Sequence, residues 1–290
     1  MEQERPAPYP IIDSHVHVQP WDELLPGPRA MMLQGKGDPQ RLLRLLQQPA
    51  AMVEHLDAMN VRRAVLVNYP APTLMGFTHR TNDFVAHYTK DHRDRFVRFG
   101  GVLPGECPDV AAEVDRCLST LELEGLKIHP PHQELSANGY LGENPQLATI
   151  YEKAQEAGVP VMIHTGTSIF PGARNRFADP MAVDDVAVDF PRLRIILAHM
   201  GRPMYVETCR FLLRRHPNVF GDVSSIPPSR LLHYLPDLER LQDKLLFGTD
   251  WPAPMVQSIG GNVSQLLDLG LPDGTTKALL VGNAEHHFGW

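Results

Sequence analysis

The chain has no long apolar run. No hydrophobic stretch approaches the roughly 18–20 residues of a membrane-spanning helix, so no spanning segment is expected. Basic blocks are missing too. Lys and Arg total 27 against 34 Asp and Glu, and the net charge is −7. Neither nucleic acid nor an acidic membrane surface is therefore an expected partner. Cysteine is scarce: Cys107, Cys117 and Cys209 are widely spaced and lie in helix-like contexts. They read as reduced thiols, not as a disulfide frame or a zinc site. The opening stretch MEQERPAPYP lacks the basic and apolar segments of a secretory signal. Together these absences point to a cytoplasmic protein. A GxGxxG turn after the first strand-like run is also absent, which argues against an open dinucleotide-binding sheet.

What is present is ordinary globular composition, 43% apolar and 21% charged over 290 residues, enough for a sizeable core. Eight short apolar runs rich in β-branched residues stand out: 11–18, 62–70, 96–104, 124–130, 159–166, 192–201, 218–225 and 244–252. Helix-like stretches separate and follow them, at 39–60, 78–94, 108–122, 144–157, 181–190, 203–216, 228–241 and 262–288. Strands alternating with helices predict a parallel sheet, and eight such units predict a closed (β/α)8 TIM barrel. With no linker or repeat visible, residues 1–290 read as one domain. The loops at 19–38 and 166–180 are long enough to be functional.

Active groups of such barrels sit at the C-terminal ends of the strands. The first run, DSHVHV, ends with His15 and His17, two residues apart. Period-two alternation places both on one face, with Asp13 one step deeper. Alone, such a pair is more often structural than metal-binding. Its partners decide: Lys127 and His129 end the fourth run, His164 the fifth, His199 the sixth and Asp250 the eighth. Three imidazoles and a carboxylate (His15, His17, His164, Asp250) suit a divalent metal with one position left open for water. Zinc is the simplest choice, and manganese, iron and cobalt accept the same ligands.

These motifs resemble the amidohydrolase superfamily, and within it the branch that includes aminocarboxymuconate semialdehyde decarboxylase. The resemblance rests on DSHVHV, GLKIHP, MIHTG, DFPRLRIILAHMGRP, NVFGDVSS, LLFGTDWP and the closing GNAEHHFG, and runs from about residue 10 to 289. It implies that His15, His17, His164 and Asp250 hold one metal. His199 would be a base or electrostatic partner, and Asp250 would also relay a proton. Lys127 is then a cation for an anionic substrate group; in binuclear relatives its counterpart is carboxylated and bridges a second metal. The resemblance leans to a homodimer.

Further candidates follow from position. Arg174 and Arg176, in the loop after the fifth run, suit a substrate carboxylate, and His129 suits the substrate as well. Asp222 reads either as support for the site or as a turn residue, His132 as loop, and Trp21 and Trp251 as pocket walls. His286 and His287 lie near the C-terminus, away from any expected ligand set. The expected reaction is metal-dependent hydrolysis of an amide, ester or lactone in a small, anionic substrate. Non-oxidative decarboxylation of a small unsaturated or aromatic acid is the alternative, and a non-catalytic barrel the third reading.

Overall fold

The computed structural model describes residues 6–288. Its sheet has eight parallel strands in sequential order: β1 Ile11–Val16, β2 Val61–Val67, β3 Phe96–Gly100, β4 Gly125–Ile128, β5 Val161–His164, β6 Ile195–Ala198, β7 Val219–Asp222 and β8 Leu245–Leu246. Only two residues of the eighth run form a regular strand, but the chain beyond them closes the ring. Ser14 N donates to Phe247 O at 2.9 Å, Asp250 N to His15 O at 2.8 Å, and His17 N to Trp251 O at 2.7 Å. The TIM barrel expected from the alternation is thus the observed fold.

Alternation along each strand sorts the core into two layers. Ile12, Val65, Val67, Phe99, Met162 and Ile196 are among the residues that fill the barrel. Their neighbours Ile11, Leu66, Ile163 and Leu197 pack outward against the helices. The strict alternation expected in β1 fails. A register shift between Asp13 and Val16 puts Ile12 in the barrel and Val16 in the outer layer, although both are even-numbered. A bulge of this kind re-aims side chains, and here it lies where the histidines begin.

Prolines break the longer predicted helices. The stretch 39–60 is two helices, Pro39–Gln47 and Pro49–Ala58, because Pro49 cannot donate the hydrogen bond that would continue the first. The stretch 262–288 is divided likewise: Ile259–Leu267 ends before Gly270 and Pro272, and helix resumes at Asp273–Lys277. The loop at 19–38 carries the helix Pro26–Leu33, and 166–180 carries one short turn, Asn175–Phe177. Among the described residues no helix is long and apolar enough to cross a membrane.

Candidate metal and substrate site

The site lies at the C-terminal rim, and its geometry starts with two rings of β1. His15 Nδ1 sits 2.5 Å from Asp222 Oδ2, and His17 Nδ1 sits 2.7 Å from Val67 O. Both partners are acceptors, so each ring carries its proton on Nδ1 and turns an Nε2 lone pair the other way. Those two Nε2 atoms are 3.2 Å apart. Asp250 Oδ1 faces both, at 3.0 Å from His17 and 3.6 Å from His15. Three acceptors converge with no proton between them, which is an arrangement that a cation relieves. The residues therefore fit a divalent ion, and the carboxylate behind His15 is the usual support for a ligating histidine.

The segment FGTD explains how Asp250 reaches this place. Gly248 lies so close to β1 that a Cβ would meet Asp222 Oδ1 at 2.6 Å and the His15 Cβ at 2.7 Å. Thr249 then fastens the strand end. Asp13 Oδ1 accepts from Thr249 N at 2.9 Å, and Asp13 Oδ2 accepts from the Thr249 hydroxyl at 2.6 Å. Asp13 is fully buried, and burial pushes its carboxyl up to about 7. Asp250 itself adopts a left-handed backbone, φ 66°, and accepts from the Ser225 hydroxyl. Such a conformation in a non-glycine residue is costly and clusters at functional positions. Burial opposes charge on Asp250, yet at the acid pH where it would titrate, protonation of His199, His17 and His15 beside it holds its carboxyl well below the usual range.

His199 has the same kind of strain. It begins three consecutive left-handed residues, His199, Met200 and Gly201, with φ of 66°, 46° and 70°. Its Nδ1 lies 2.8 Å from Ser224 Oγ, which donates to Asp222 Oδ2 at 2.8 Å. A buried chain thus links His199 through Ser224 and Asp222 to His15. The grouping of His15, His199 and Asp222 is as compact as a metal site, but hydrogen bonds already occupy its facing atoms.

Across the rim the groups are less satisfied. His164 Nε2 lies 3.1 Å from Gly166 O, while its Nδ1 is buried without a hydrogen-bond partner among the described residues. Its ring stacks on His129 at 3.8 Å between centroids and meets His199 edge-on at 4.7 Å. Lys127 is 1% exposed and its Nζ also has no partner among the described residues; burial pushes it down to about 8. Burial likewise drives His129, His164 and His199 well below the ordinary histidine range, so all three are neutral at pH 7. These groups border a pocket of about 640 Å³, the open space at its mouth included.

Residues 12–290 match the family described as Amidohydrolase. The chain belongs to the amidohydrolase family. One relative, the gamma-resorcylate decarboxylase of Rhizobium sp. (strain MTP-10005), is 26% identical over 258 residues, 72% of this chain and 78% of that protein. Among solved structures, a 2,6-dihydroxybenzoate decarboxylase from Rhizobium has a TM-score of 0.68 at 19% identity, covering 97% of this chain and 99% of the other. A 5-carboxyvanillate decarboxylase from Novosphingobium aromaticivorans, complexed with manganese and 4-hydroxy-3-methoxy-5-nitrobenzoic acid, has a TM-score of 0.67 at 17% identity, covering 98% and 97%. At those identities the two structures show the shared barrel.

In this amidohydrolase the residues singled out in the sequence fall into three groups. His15, His17 and Asp250 come together within ligand distance of one another. Lys127, His129, His164 and His199 border the same pocket, although the His164 ring is not part of that trio. Arg174 and Arg176 are not brought to the pocket. Both are exposed; Arg174 lies 3.7 Å from Glu134, and Arg176 covers the Phe177 ring. The loop does reach the pocket, but through Thr167, Ser168, Ile169 and Phe170.

Other differences are instructive. His132, expected in a loop, lies in the short helix Pro130–Gln133, buried, stacked on His129 at 3.5 Å and 3.0 Å from the Tyr69 hydroxyl. Trp21 and Trp251 wall two neighbouring cavities instead of the main pocket. Asp222 supports His15, as one of its two readings held. Sequence reasoning missed Arg202. It borders the pocket, its Nε is buried without a partner among the described residues, and its Nη1 makes one long contact, 3.5 Å, to Thr167 O. The signal was its place three residues after His199, but the left-handed turn that brings it inward is not legible in the motif.

Proposed function

We propose that this amidohydrolase is a metal-dependent, non-oxidative decarboxylase of a small aromatic acid. The observation that carries the reading is the juxtaposition, on one pocket, of a cation-seeking trio with buried Lys127 and half-buried Arg202, neither of which forms an ion pair among the described residues. Lys127 and Arg202 would bind the anionic groups of the substrate, Arg202 in the bidentate manner open to a guanidinium. The decarboxylase relatives support carbon dioxide release over the hydrolysis expected first.

His15, His17 and Asp250, with His164 as a fourth, would hold one divalent ion. When bound, such an ion supplies Lewis-acid polarisation of substrate oxygens. Zinc suits the donor set, and the manganese held by the 5-carboxyvanillate decarboxylase makes that ion the first to test beside it. The chain's own residues then handle the proton. Asp250, held ionised, accepts one from a substrate hydroxyl or water and passes it to the ring carbon that bears the carboxylate. That carbon gains the proton, its bond to the carboxylate breaks, and the bonding pair returns to the ring as CO2 leaves. His199, fixed by Ser224, stands beside this transfer as electrostatic partner.

The test is a product assay on protein loaded with zinc or manganese, against hydroxybenzoic acids on one side and esters and lactones on the other. CO2 release in D2O with one deuterium at the vacated ring carbon is the expected result. Acid release from a lactone or ester with no CO2 would assign a hydrolase instead. Elemental analysis should find about one ion per chain; two would return the carboxylated Lys127 arrangement.

A further inference from the structure

A second, smaller cavity adjoins the main pocket; its roughly 280 Å³ include the open space at its mouth, and the enclosed part has room for only a small group. His17, Gln19, Met32 and Met75 border both and form the neck where they meet, with His17 the member of the metal-type trio in the shared wall. Beyond that neck the walls are Trp21, Leu24, Leu46, Phe77 and Pro252. Trp21 and Leu24 follow β1, Phe77 follows β2 and Pro252 follows β8. Lys127 lies on β4 and Arg202 follows β6. In a ring with strands in sequential order these sectors face each other across the mouth. The pocket therefore has a cationic side, a metal-type centre and an apolar recess on the far side. At the neck, Gln19 Nε2 is a buried donor without a partner among the described residues.

From this we infer that the recess holds an alkyl substituent of the substrate, so that the acid accepted is an alkylated aromatic carboxylic acid with an oxygen on the ring. This rests on the reading of the pocket as an aromatic-acid site. The carboxylate faces Lys127 and Arg202, the ring spans the centre, and the alkyl group passes the neck. A ring oxygen beside it accepts from Gln19. The two methionines at the neck are unbranched and adaptable, which suits an entrance that must admit a group and close on it.

The experiment is calorimetric binding to manganese-loaded protein. The probes are benzoate with its 3- and 4-methyl and 3- and 4-ethyl derivatives, and the matching phenols. Burial of each added carbon should tighten binding by about fourfold. The gain should appear in at least one position of both series, because the recess acts independently of the carboxylate. Leu46→Phe and Leu24→Phe, which fill the recess from different elements, should abolish the gain and leave unsubstituted benzoate unchanged. No alkyl gain in either series, or a gain that survives in both filled variants, overturns the assignment. Alkylbenzoates that bind with the gain and release no CO2 would support the recess and overturn the decarboxylase reading alone.

Discussion

The two halves of the rim differ in how well their metal-type and cationic groups are satisfied. Around β8, β1 and β2, both Nδ1 atoms of the histidine pair have acceptors at hydrogen-bond distance, and Asp250 has Ser225. Around β4 to β6, Lys127 Nζ, His129 Nδ1, His164 Nδ1 and Arg202 Nε are buried with no partner among the described residues. A buried polar group without a partner costs about 1–3 kcal/mol, more when charged. The first half is organised before anything binds: its rings cannot turn without breaking a hydrogen bond. The second half keeps an unfavourable arrangement that a ligand would relieve. Preorganisation suits the tight, permanent holding of an ion, and unsatisfied cations suit a substrate that must enter and leave.

The sharpest break of this comparison is Asp250→Asn. It removes the only carboxylate of the converging trio. Turnover should fall by about 10²–10⁴-fold, as for loss of a proton-transfer group, and metal content per chain should fall with it. Full metal retention would mean that the aspartate acts on the substrate alone. Next is Arg202→Ala on the unsatisfied side. Loss of a charge-assisted hydrogen bond, about 1.5–3 kcal/mol, should weaken binding of a carboxylate inhibitor by roughly tenfold to a hundredfold. Metal content should not change. An equal loss for an uncharged phenol would show that Arg202 shapes the pocket without binding the anion. Asp222→Asn returns to the satisfied side. Weakening the partner of His15 should lower metal affinity by about 10–100-fold, read by competition with a chelator. Unchanged affinity would make the His15–Asp222 contact a packing feature.

The order of the strands was legible because burial leaves a regular trace: β-branched runs separated by helix-length polar stretches. The ends of those strands were legible as chemistry because histidine and aspartate are unusual there. What escaped the sequence depends on backbone turns that alternation does not encode. Period two would carry Asp13 to the pocket face, yet the bulge after it turns Asp13 toward Thr249. Arg174 and Arg176 follow a ligand strand as closely as a substrate group should, but their segment runs outward. Arg202 is drawn in by the left-handed turn from His199 to Gly201. Tyr69, just after β2, and His132, in the short helix after β4, meet only in three dimensions.

A smaller effect should come from pH. Burial lowers Lys127 to about 8, so its charge is present below that pH and lost above it. Binding of a carboxylate inhibitor should therefore weaken as pH rises through about 8, and Lys127→Arg should move that loss upward. The sign for stability is opposite: between about 8 and the ordinary lysine range the unfolded chain binds the proton that the folded chain has released, so this residue's contribution to stability rises with pH. A flat inhibition profile from pH 7 to 9 would remove Lys127 from anion binding. At the acid end, the ion needs neutral imidazoles and an ionised Asp250, so metal should be lost as pH falls below the histidine range.

The smallest expected effect separates the two arginines of the 166–180 loop from Arg202. The Arg174 side chain is 62% exposed and 3.7 Å from Glu134, a surface pair of the kind worth about 0–1 kcal/mol. Arg176 lies over Phe177, outside the pocket. Arg174→Ala and Arg176→Ala should each leave carboxylate binding within about twofold, on that same scale of interaction. The comparison with Arg202→Ala is the informative one, since all three changes remove one positive charge from the same end of the barrel. If charge alone draws the substrate in, the three should weaken binding alike and salt should erase the differences. If contact decides, only Arg202 matters, because it alone of the three borders the pocket with a buried, unpartnered nitrogen among the described residues.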